Sequence, residues 1–224
     1  MADTYDLSEP ASLMAGMRAA RQAIGRGSII VMPTDTVYGV AADAFSPAGV
    51  TALLMAKGRD RSSPPPVLIA NRETMTALAE HVPESLDTLL EAHWPGPLTV
   101  IVRARPQLGW DLGDTNGTVG LRIPDHPMAL ELLKDTGPLA VSSANLHGLA
   151  APQTAERAAA MLGGAVDVVL DAGPVGEQHE PHERQNGSTI IDASQSDGLV
   201  RIVRQGVLSR EVIAEHVGDA LAED

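Results

Sequence analysis

Four basic side chains at the ends of predicted elements are the groups best suited to do chemistry in this chain. Lysine and arginine number only 16 against 29 aspartates and glutamates, so each basic position is informative. Lys57 and Arg59 flank Gly58 where a helical pattern ends, and Arg122 and Arg204 lie near the ends of apolar runs. Cations placed there can hold phosphate or carboxylate, and arginine can do so with two parallel hydrogen bonds. The pattern predicts an anion site, with a helix cap or a solvated surface position as the alternative for each residue alone.

Neutral hydrogen-bonding groups follow or begin other apolar runs. The β-branched run 29–32 is followed by Pro33 and the polar loop 34–36, and such loops at strand ends are common places for sites. Hydroxyl and amide groups there can orient a polar ligand without adding charge. Ordinary turn or cap bonding is the alternative role for each of them. The candidates are Thr36, Ser143, Asn145 and Ser188.

The sequence lacks the residues or motifs that several common catalytic, nucleotide-binding and metal sites require. The chain has no cysteine, which excludes disulfides, thiol nucleophiles and cysteine metal sites. It contains neither the G-x-S-x-G elbow of serine hydrolases nor the glycine-rich phosphate loops of common nucleotide-binding folds. His179-Glu180-Pro181-His182 has the wrong histidine spacing for H-E-x-x-H, and Pro181 opposes the helix that this motif needs. We therefore predict no protein-held metal.

Composition and net charge limit the classes of partner that this protein can bind. The net charge of -13 and the pI near 4.8 oppose attraction to phosphate backbones, and five aromatic residues leave little surface for base stacking. Direct tight binding of tRNA or another nucleic acid is not expected. The N-terminus lacks the pattern of a signal peptide, and no apolar run approaches the roughly 20 residues that span a bilayer. We expect a cytoplasmic protein that does not bind membranes.

The predicted helices and strands that position these residues are interleaved along the chain. At 224 residues the sequence predicts one α/β domain over residues 8–216, with flexible tails at 1–7 and 217–224. The expected architecture is a mixed twisted sheet flanked by helices. Predicted helices cover 11–26, 50–56, 72–80, 84–93, 127–134, 154–162 and 209–216, and predicted strands cover 28–32, 67–69, 98–102, 118–123, 139–141, 167–171, 188–192 and 199–204.

Six short motifs in order carry a family resemblance. The chain resembles the YrdC-like family of threonylcarbamoyl-AMP synthases, in the short form that lacks an extra C-terminal domain, over about residues 12–208. The joint match is far more specific than any single motif. The motifs are PTDTVYGV at 33–40, KGR at 57–59, WPGPLTV at 94–100, TVGLRIP at 118–124, SSAN at 142–145 and STIID at 188–192.

The resemblance implies a nucleotidyltransferase with a concave active-site cavity. The implied reaction condenses L-threonine, bicarbonate and ATP, with Mg²⁺, into threonylcarbamoyl-AMP and pyrophosphate. A separate transferase would then pass the threonylcarbamoyl group to an adenosine of tRNA. By resemblance, Thr36, Arg122 and Ser188 fall at threonine positions, and Lys57 and Arg59 at catalytic positions. The implied ATP-binding residues are Lys57, Arg59, Ser63, Thr118, Ser143, Asn145 and Arg204.

The sequence also departs from the family pattern. Ser63 stands where an asparagine often helps to hold ATP, and Leu68 stands where some members have a histidine near threonine. Two alternatives stay open at this point: a YciO-like paralogue with a different substrate, and a nucleotide-binding module without turnover. The polar segment 174–187, which leads to Ser188, is predicted to be a flap over the occupied site.

Overall fold

Helices and strands interleave along the chain, as the apolar patterns predict. The structure is a computed structural model and describes residues 2–146, 148–179 and 186–223. The strands are β1 (Asp3–Asp6), β2 (Ile30–Met32), β3 (Gly39–Asp43), β4 (Val67–Leu68), β5 (Leu98–Arg103), β6 (Thr118–Arg122), β7 (Leu139–Ser143), β8 (Val168–Asp171), β9 (Thr189–Asp192) and β10 (Arg201–Arg204). The helices are α1 (Pro10–Gly25), α2 (Pro47–Ala56), α3 (Arg72–Leu78), α4 (Asp87–His93), α5 (Pro127–Thr136), α6 (Ala155–Leu162) and α7 (Arg210–Val217), with short 3-10 turns at Glu84–Leu86 and Gly218–Ala220.

The described strands form one mixed sheet, in the order β1-β8-β2-β3-β7-β4-β6-β5-β9-β10. Four neighbouring pairs are parallel: β1 with β8, β8 with β2, β4 with β6, and β5 with β9. The other pairs are antiparallel. This is the α/β architecture that the sequence predicts, a mixed sheet flanked by helices.

Alternation along the strands divides the buried side chains into two apolar clusters. Ile30 and Met32 of β2 lie in one cluster, and Val31 between them lies in the other. Successive side chains of a strand point to opposite faces, so apolar residues without alternating polar ones indicate a sheet buried on both faces. Helix α1 packs against β8, β2 and β3 on the face that carries Ile30. Helix α2 contributes Leu53 to the opposite cluster.

Residues at the helix starts explain where several helices begin. Ser46, Thr154 and Ser209 precede α2, α6 and α7, and each side-chain oxygen accepts a backbone N–H of the first turn. Such caps satisfy donors that have no partner within the helix. Helices α1, α2 and α5 also begin with proline, which suits a first turn.

Described residues within both segments predicted as flexible tails pack onto the domain. Asp3–Asp6 is β1, paired with β8, and Leu7 is buried. At the other end, Val217 is buried, and the backbone N–H of Ala222 donates to the oxygen of Val200 over 2.9 Å. Strand β3 is a second difference, because it forms a hairpin with β2 where only a loop was expected. Its sequence, GVAAD, contains a single β-branched residue and so gives little strand signal.

Candidate active site

A cavity of about 490 Å³ lies over one face of the sheet. Its floor comes from neighbouring strands and the segments beside them, including Gly39, Leu68, Thr99 and Val141. A glycine is needed at the first of these positions, because a Cβ there would lie 2.6 Å from Cγ1 of Val141. The predicted strand-end residues therefore meet above the sheet rather than at one edge of it. Six of the predicted site residues line this cavity: Thr36, Arg59, Arg122, Ser143, Ser188 and Arg204.

Arg122 is fixed from three directions. Its Nε donates to the main-chain oxygen of Gly96 over 2.9 Å, and Nη2 donates to Oδ1 of Asp35 over 2.5 Å. Both terminal nitrogens also lie 3.2 Å from Oγ1 of Thr36. Arg122 is buried and already ion-paired with Asp35. Its orientation is therefore set before any ligand arrives.

Asp35 is a residue of this site that the sequence analysis did not select. Its carboxylate is buried, and Oδ1 accepts from the backbone N–H of Asp125 over 3.0 Å as well as from Arg122. Burial acts to raise the pKa of Asp35, but the Arg122 charge and the donors around the carboxylate outweigh it and hold the pKa below its usual value. Asp35 is therefore an anion in the folded protein.

Ser188 and Arg204 form the opposite side of the cavity. Nη2 of Arg204 donates to the main-chain oxygen of Ser188 over 2.7 Å and lies 3.3 Å from its hydroxyl. That hydroxyl also shares a hydrogen bond of 2.8 Å with Oγ1 of Thr99. Burial lowers the pKa of Arg204, and the charges of Arg122 and Arg59 lower it further. The charges of Arg59 and Arg122 thus act on Arg204 at this cavity, and a cluster of cations of this kind suits the binding of anions.

Lys57 lies behind the cavity rather than in its lining. Its side chain is fully buried, and Nζ donates to the main-chain oxygens of Ser143 and Asn145 and, over 3.0 Å, to Oδ1 of Asn145. Burial lowers the pKa of Lys57 to about 8, with a smaller contribution from the nearby Arg59 charge. Nδ2 of Asn145 donates to the main-chain oxygens of Leu146 and Leu149. Lys57 and Asn145 together hold the chain that follows β7.

Two further predicted nucleotide residues lie outside the main cavity. Ser63 is partly buried, and its backbone N–H donates to the oxygen of Asp60 over 3.3 Å. Thr118 lines a smaller pocket of about 110 Å³, which shares Pro64 and Ile190 with the main cavity. Arg59 does line the main cavity, and its Nη1 donates to Oγ of Ser142 over 3.3 Å. The side pocket is mostly apolar and opens beside the cluster of cations.

Within the described part of the chain, no group of three or more histidine, aspartate and glutamate side chains could hold a metal ion. Of the His179-Glu180-Pro181-His182 motif, only His179 lies within the described residues. Residues 180–185 of the predicted flap also lie outside them. Its first part, up to His179, is described and lies beside Asp35.

Comparison of this chain with known proteins identifies its family. The Sua5/YciO/YrdC family model, described as "Telomere recombination", matches residues 22–206. The chain belongs to this family. A Mycobacterium tuberculosis (strain H37Rv) protein is 46% identical over 218 residues, covering 97% of this chain and 96% of the relative, and is provisionally named as a threonylcarbamoyl-AMP synthase. The Bacillus subtilis relative named threonylcarbamoyl-AMP synthase is 35% identical over 192 residues, covering 85% of this chain and 53% of the relative.

Solved structures of the Sua5/YciO/YrdC family share the fold. P. abyssi Sua5 complexed with L-threonine has a TM-score of 0.84 and 28% identity, and the match covers 98% of this chain. The chain spans 61% of that archaeal protein, which is less than two thirds of its length. E. coli YciO has a TM-score of 0.79 at 18% identity, covering 95% of this chain and 100% of the other, and indicates the fold alone.

Two polar residues of the site were missed for an identifiable reason. Asp35 stands in a loop where an aspartate is ordinary turn chemistry, and its partner Arg122 is 87 positions away. Thr99 looks like a β-branched strand residue in the run 98–102, but it is buried with its hydroxyl on Ser188. The available signal for Asp35 was its position between two threonines directly after a buried strand.

Proposed function

We propose that this member of the Sua5/YciO/YrdC family is an L-threonylcarbamoyladenylate synthase, a nucleotidyltransferase that condenses L-threonine, bicarbonate and ATP and releases pyrophosphate. The observation that carries the proposal is the meeting of Arg59, Arg122 and Arg204 in one cavity together with the hydroxyls of Thr36 and Ser188. The reaction brings a carboxylate, a carbamate and a triphosphate together. Fixed cations and neutral donors are what such a set of anions requires.

The threonine end of the cavity is assigned to Arg122, Thr36 and Ser188. The Arg122 guanidinium is already oriented by Asp35 and Gly96, so a ligand carboxylate would meet a preorganised donor. The hydroxyls of Thr36 and Ser188 can exchange hydrogen bonds with the amino acid. The Sua5 structure from P. abyssi was solved with L-threonine, which supports this choice of substrate.

The nucleotide end is assigned to Arg59, Arg204 and Ser143, with the side pocket at Thr118 for the base. That pocket, of about 110 Å³, is lined by apolar side chains and by the hydroxyls of Thr115 and Thr118. A flat aromatic ring buries its faces against such apolar groups, and hydroxyls can meet its edge. The phosphates would then extend toward the three guanidinium groups.

The chemistry can proceed without a covalent enzyme intermediate. The threonine amine forms a C–N bond to bicarbonate carbon, and water leaves to give the carbamate. A carbamate oxygen then attacks the α-phosphorus of ATP, and the bond to the β-phosphate oxygen breaks to release pyrophosphate. Arg59 and Arg204 would stabilise the charge that develops on the phosphates.

We further infer that Mg²⁺ enters with ATP. The described lining offers hydroxyl and guanidinium groups rather than a carboxylate cluster, so the ion would be held by phosphate oxygens and water. When bound, it would supply positive charge to the leaving pyrophosphate. The protein residues around it would position the phosphates and not the ion.

The remaining partners are also proposals. A separate transferase would receive the adenylate and modify tRNA, and both proteins would act in the cytoplasm. A second protein is needed because the acidic chain offers little surface that could bind the nucleic acid itself. No helix in the ranges 2–146, 148–179 and 186–223 has the length and apolar character to cross a membrane.

Pyrophosphate release from purified protein tests the proposal. We expect release to require ATP, L-threonine and bicarbonate together, and mass spectrometry to find threonylcarbamoyl-AMP. L-serine, which lacks the methyl group of threonine, reports on recognition of that methyl group, and L-valine, which lacks the hydroxyl, reports on recognition of the hydroxyl. Release that does not depend on threonine would contradict the proposal.

A further inference from the structure

The segment Gly173–His179 is docked against the loop that carries Thr36. The hydroxyl of Tyr38 donates to the oxygen of Gly173 over 2.6 Å and accepts from the N–H of Ala172 over 3.0 Å. Gly176 lies so close that a Cβ there would be 2.2 Å from the main-chain oxygen of Thr36. The backbone of this segment therefore packs directly on the backbone of the proposed threonine site.

Two side chains of the segment reach Asp35. Nε2 of Gln178 donates to the main-chain oxygen of Asp35 over 3.1 Å. Nε2 of His179 lies 3.9 Å from Oδ2 of Asp35, and this distance is too long for a hydrogen bond. Both of these atoms are buried, and neither has a hydrogen-bond partner within the described residues.

The two oxygens of the Asp35 carboxylate are therefore unequal. Oδ1 accepts from Arg122 and from the backbone N–H of Asp125, whereas Oδ2 accepts from no described group. A buried carboxylate oxygen without a donor is costly, so a small movement that brings a donor to it is favourable. His179 needs to move by roughly 1 Å to reach hydrogen-bonding distance.

Binding of a carboxylate at Arg122 would strengthen this tendency. The incoming group shares the guanidinium with Asp35, so less of the Asp35 charge is compensated by Arg122. A further donor on Oδ2 then stabilises the ligand-bound state more than the free state. His126 also faces Asp35, but burial lowers its pKa and so disfavours its charged form.

We propose that Asp35 and His179 are positioning residues for threonine, and that the contact between Asp35 Oδ2 and His179 Nε2 closes when the amino acid occupies Arg122. The inference rests on the proposed function and adds two residues to the threonine end of the site. Neither residue lines the cavity, so each acts through a neighbour: Asp35 through Arg122, and His179 through Asp35.

A double-mutant cycle tests the contact. Purified Asp35→Asn, His179→Ala and the double variant are compared by calorimetric titration with L-threonine and by initial rates of pyrophosphate release. We expect His179→Ala to raise the KM for threonine about fivefold, with kcat and the KM for ATP within about twofold. Asp35→Asn should raise the KM for threonine about tenfold or more. In the Asp35→Asn background, His179→Ala should produce no further increase in that KM.

Two controls keep the test specific. His179→Gln keeps a side-chain N–H donor and should restore most of the threonine affinity. Asp219→Asn and His81→Gln change exposed side chains of the same types, remote from Asp35, and should behave like the parent. If Asp35→Asn does not fold, the comparison of His179→Ala with His179→Gln still decides the role of His179.

The outcomes separate the two proposals. An unchanged threonine KM in His179→Ala, or additive effects of the two substitutions, overturns this inference while leaving an active synthase. Absence of threonine binding and of threonine-dependent pyrophosphate release in the parent protein overturns the proposed function and this inference together.

Discussion

The ammonium of Lys57 lies 3.0 Å from the side-chain oxygen of Asn145, although 88 positions separate the two residues in the sequence. The same nitrogen donates to the main-chain oxygens of Ser143 and Asn145. A charged lysine has three N–H donors, and all three find acceptors in this contact. The buried Lys57 ammonium therefore holds the segment that carries Ser143 at the cavity, and this set of hydrogen bonds requires the protonated form of the lysine.

We expect turnover to fall as pH rises through about 8, where Lys57 loses its charge. The neutral amine has two N–H donors instead of three, so the high-pH form holds the chain after β7 less firmly. Lys57→Met should lower kcat by about a hundredfold, because a buried hydrogen-bonded cation is lost, and its remaining rate should not show this decline. Initial rates of pyrophosphate release across this pH range measure both effects.

The other lysine of the chain, Lys134, is exposed on α5 and provides the matched control. Lys134→Met should keep the parent rate and the parent pH profile. A decline of the same shape in Lys57→Met would show that some other group titrates there.

Arg122→Lys should weaken threonine binding although it keeps the positive charge. Lysine cannot reproduce the planar set of donors that contacts Asp35, Gly96 and Thr36, so we expect the Kd for threonine to rise about tenfold or more. Calorimetric titration gives the affinity. Arg122→Ala is less informative, since leaving the buried Asp35 unpaired can cost about 3–5 kcal/mol of stability. Equal threonine affinity in the parent and in a folded Arg122→Lys variant would contradict the assignment.

The sequence predicts the repetitive parts of this fold well. Apolar runs and helical spacing locate most strands and helices, including β5, β6 and α5, because burial of those side chains follows directly from their order in the chain. Strand β3 is missed, since its alanines favour helix over strand and its place depends on pairing with β2 and β7. Strand β1 is missed because a short acidic edge strand resembles a solvated tail.

The candidate site is predicted in its residue types but not in its connections. Arg59, Arg122 and Arg204 are recognisable in an acidic chain, and the structure brings all three to one cavity. What the sequence cannot give is which groups face each other across long separations. The pairing of Asp35 with Arg122 and the burial of Lys57 behind Ser143 both depend on tertiary packing.

Arg59→Ala should reduce turnover more than it reduces threonine binding. Arg59 lines the cavity and its charge lowers the pKa values of both Lys57 and Arg204, so it contributes to the positive potential that the phosphates meet. We expect kcat/KM for ATP to fall by about a hundredfold, with the threonine Kd changed by less than about threefold. Steady-state rates and calorimetry measure the two quantities separately.

Arg61 gives the matched arginine control for this experiment. It is exposed and pairs with Asp111 over 2.7 Å, outside the cavity lining. An exposed pair contributes little to stability, so Arg61→Ala should retain the parent rate. Parent-like turnover in Arg59→Ala would remove Arg59 from the nucleotide site.

We also predict that the protein does not bind tRNA tightly. Its net charge of -13 repels a phosphate backbone, and its five aromatic residues provide little surface on which bases could stack. The cations of the cavity, Arg59, Arg122 and Arg204, are too few to offset that repulsion, and ATP and threonine would occupy them. Filter binding with tRNA at physiological salt should therefore give no saturation at micromolar protein, with and without ATP. Submicromolar binding that weakens steeply as salt increases would contradict the prediction, because it would require a basic surface that this acidic chain is not expected to provide.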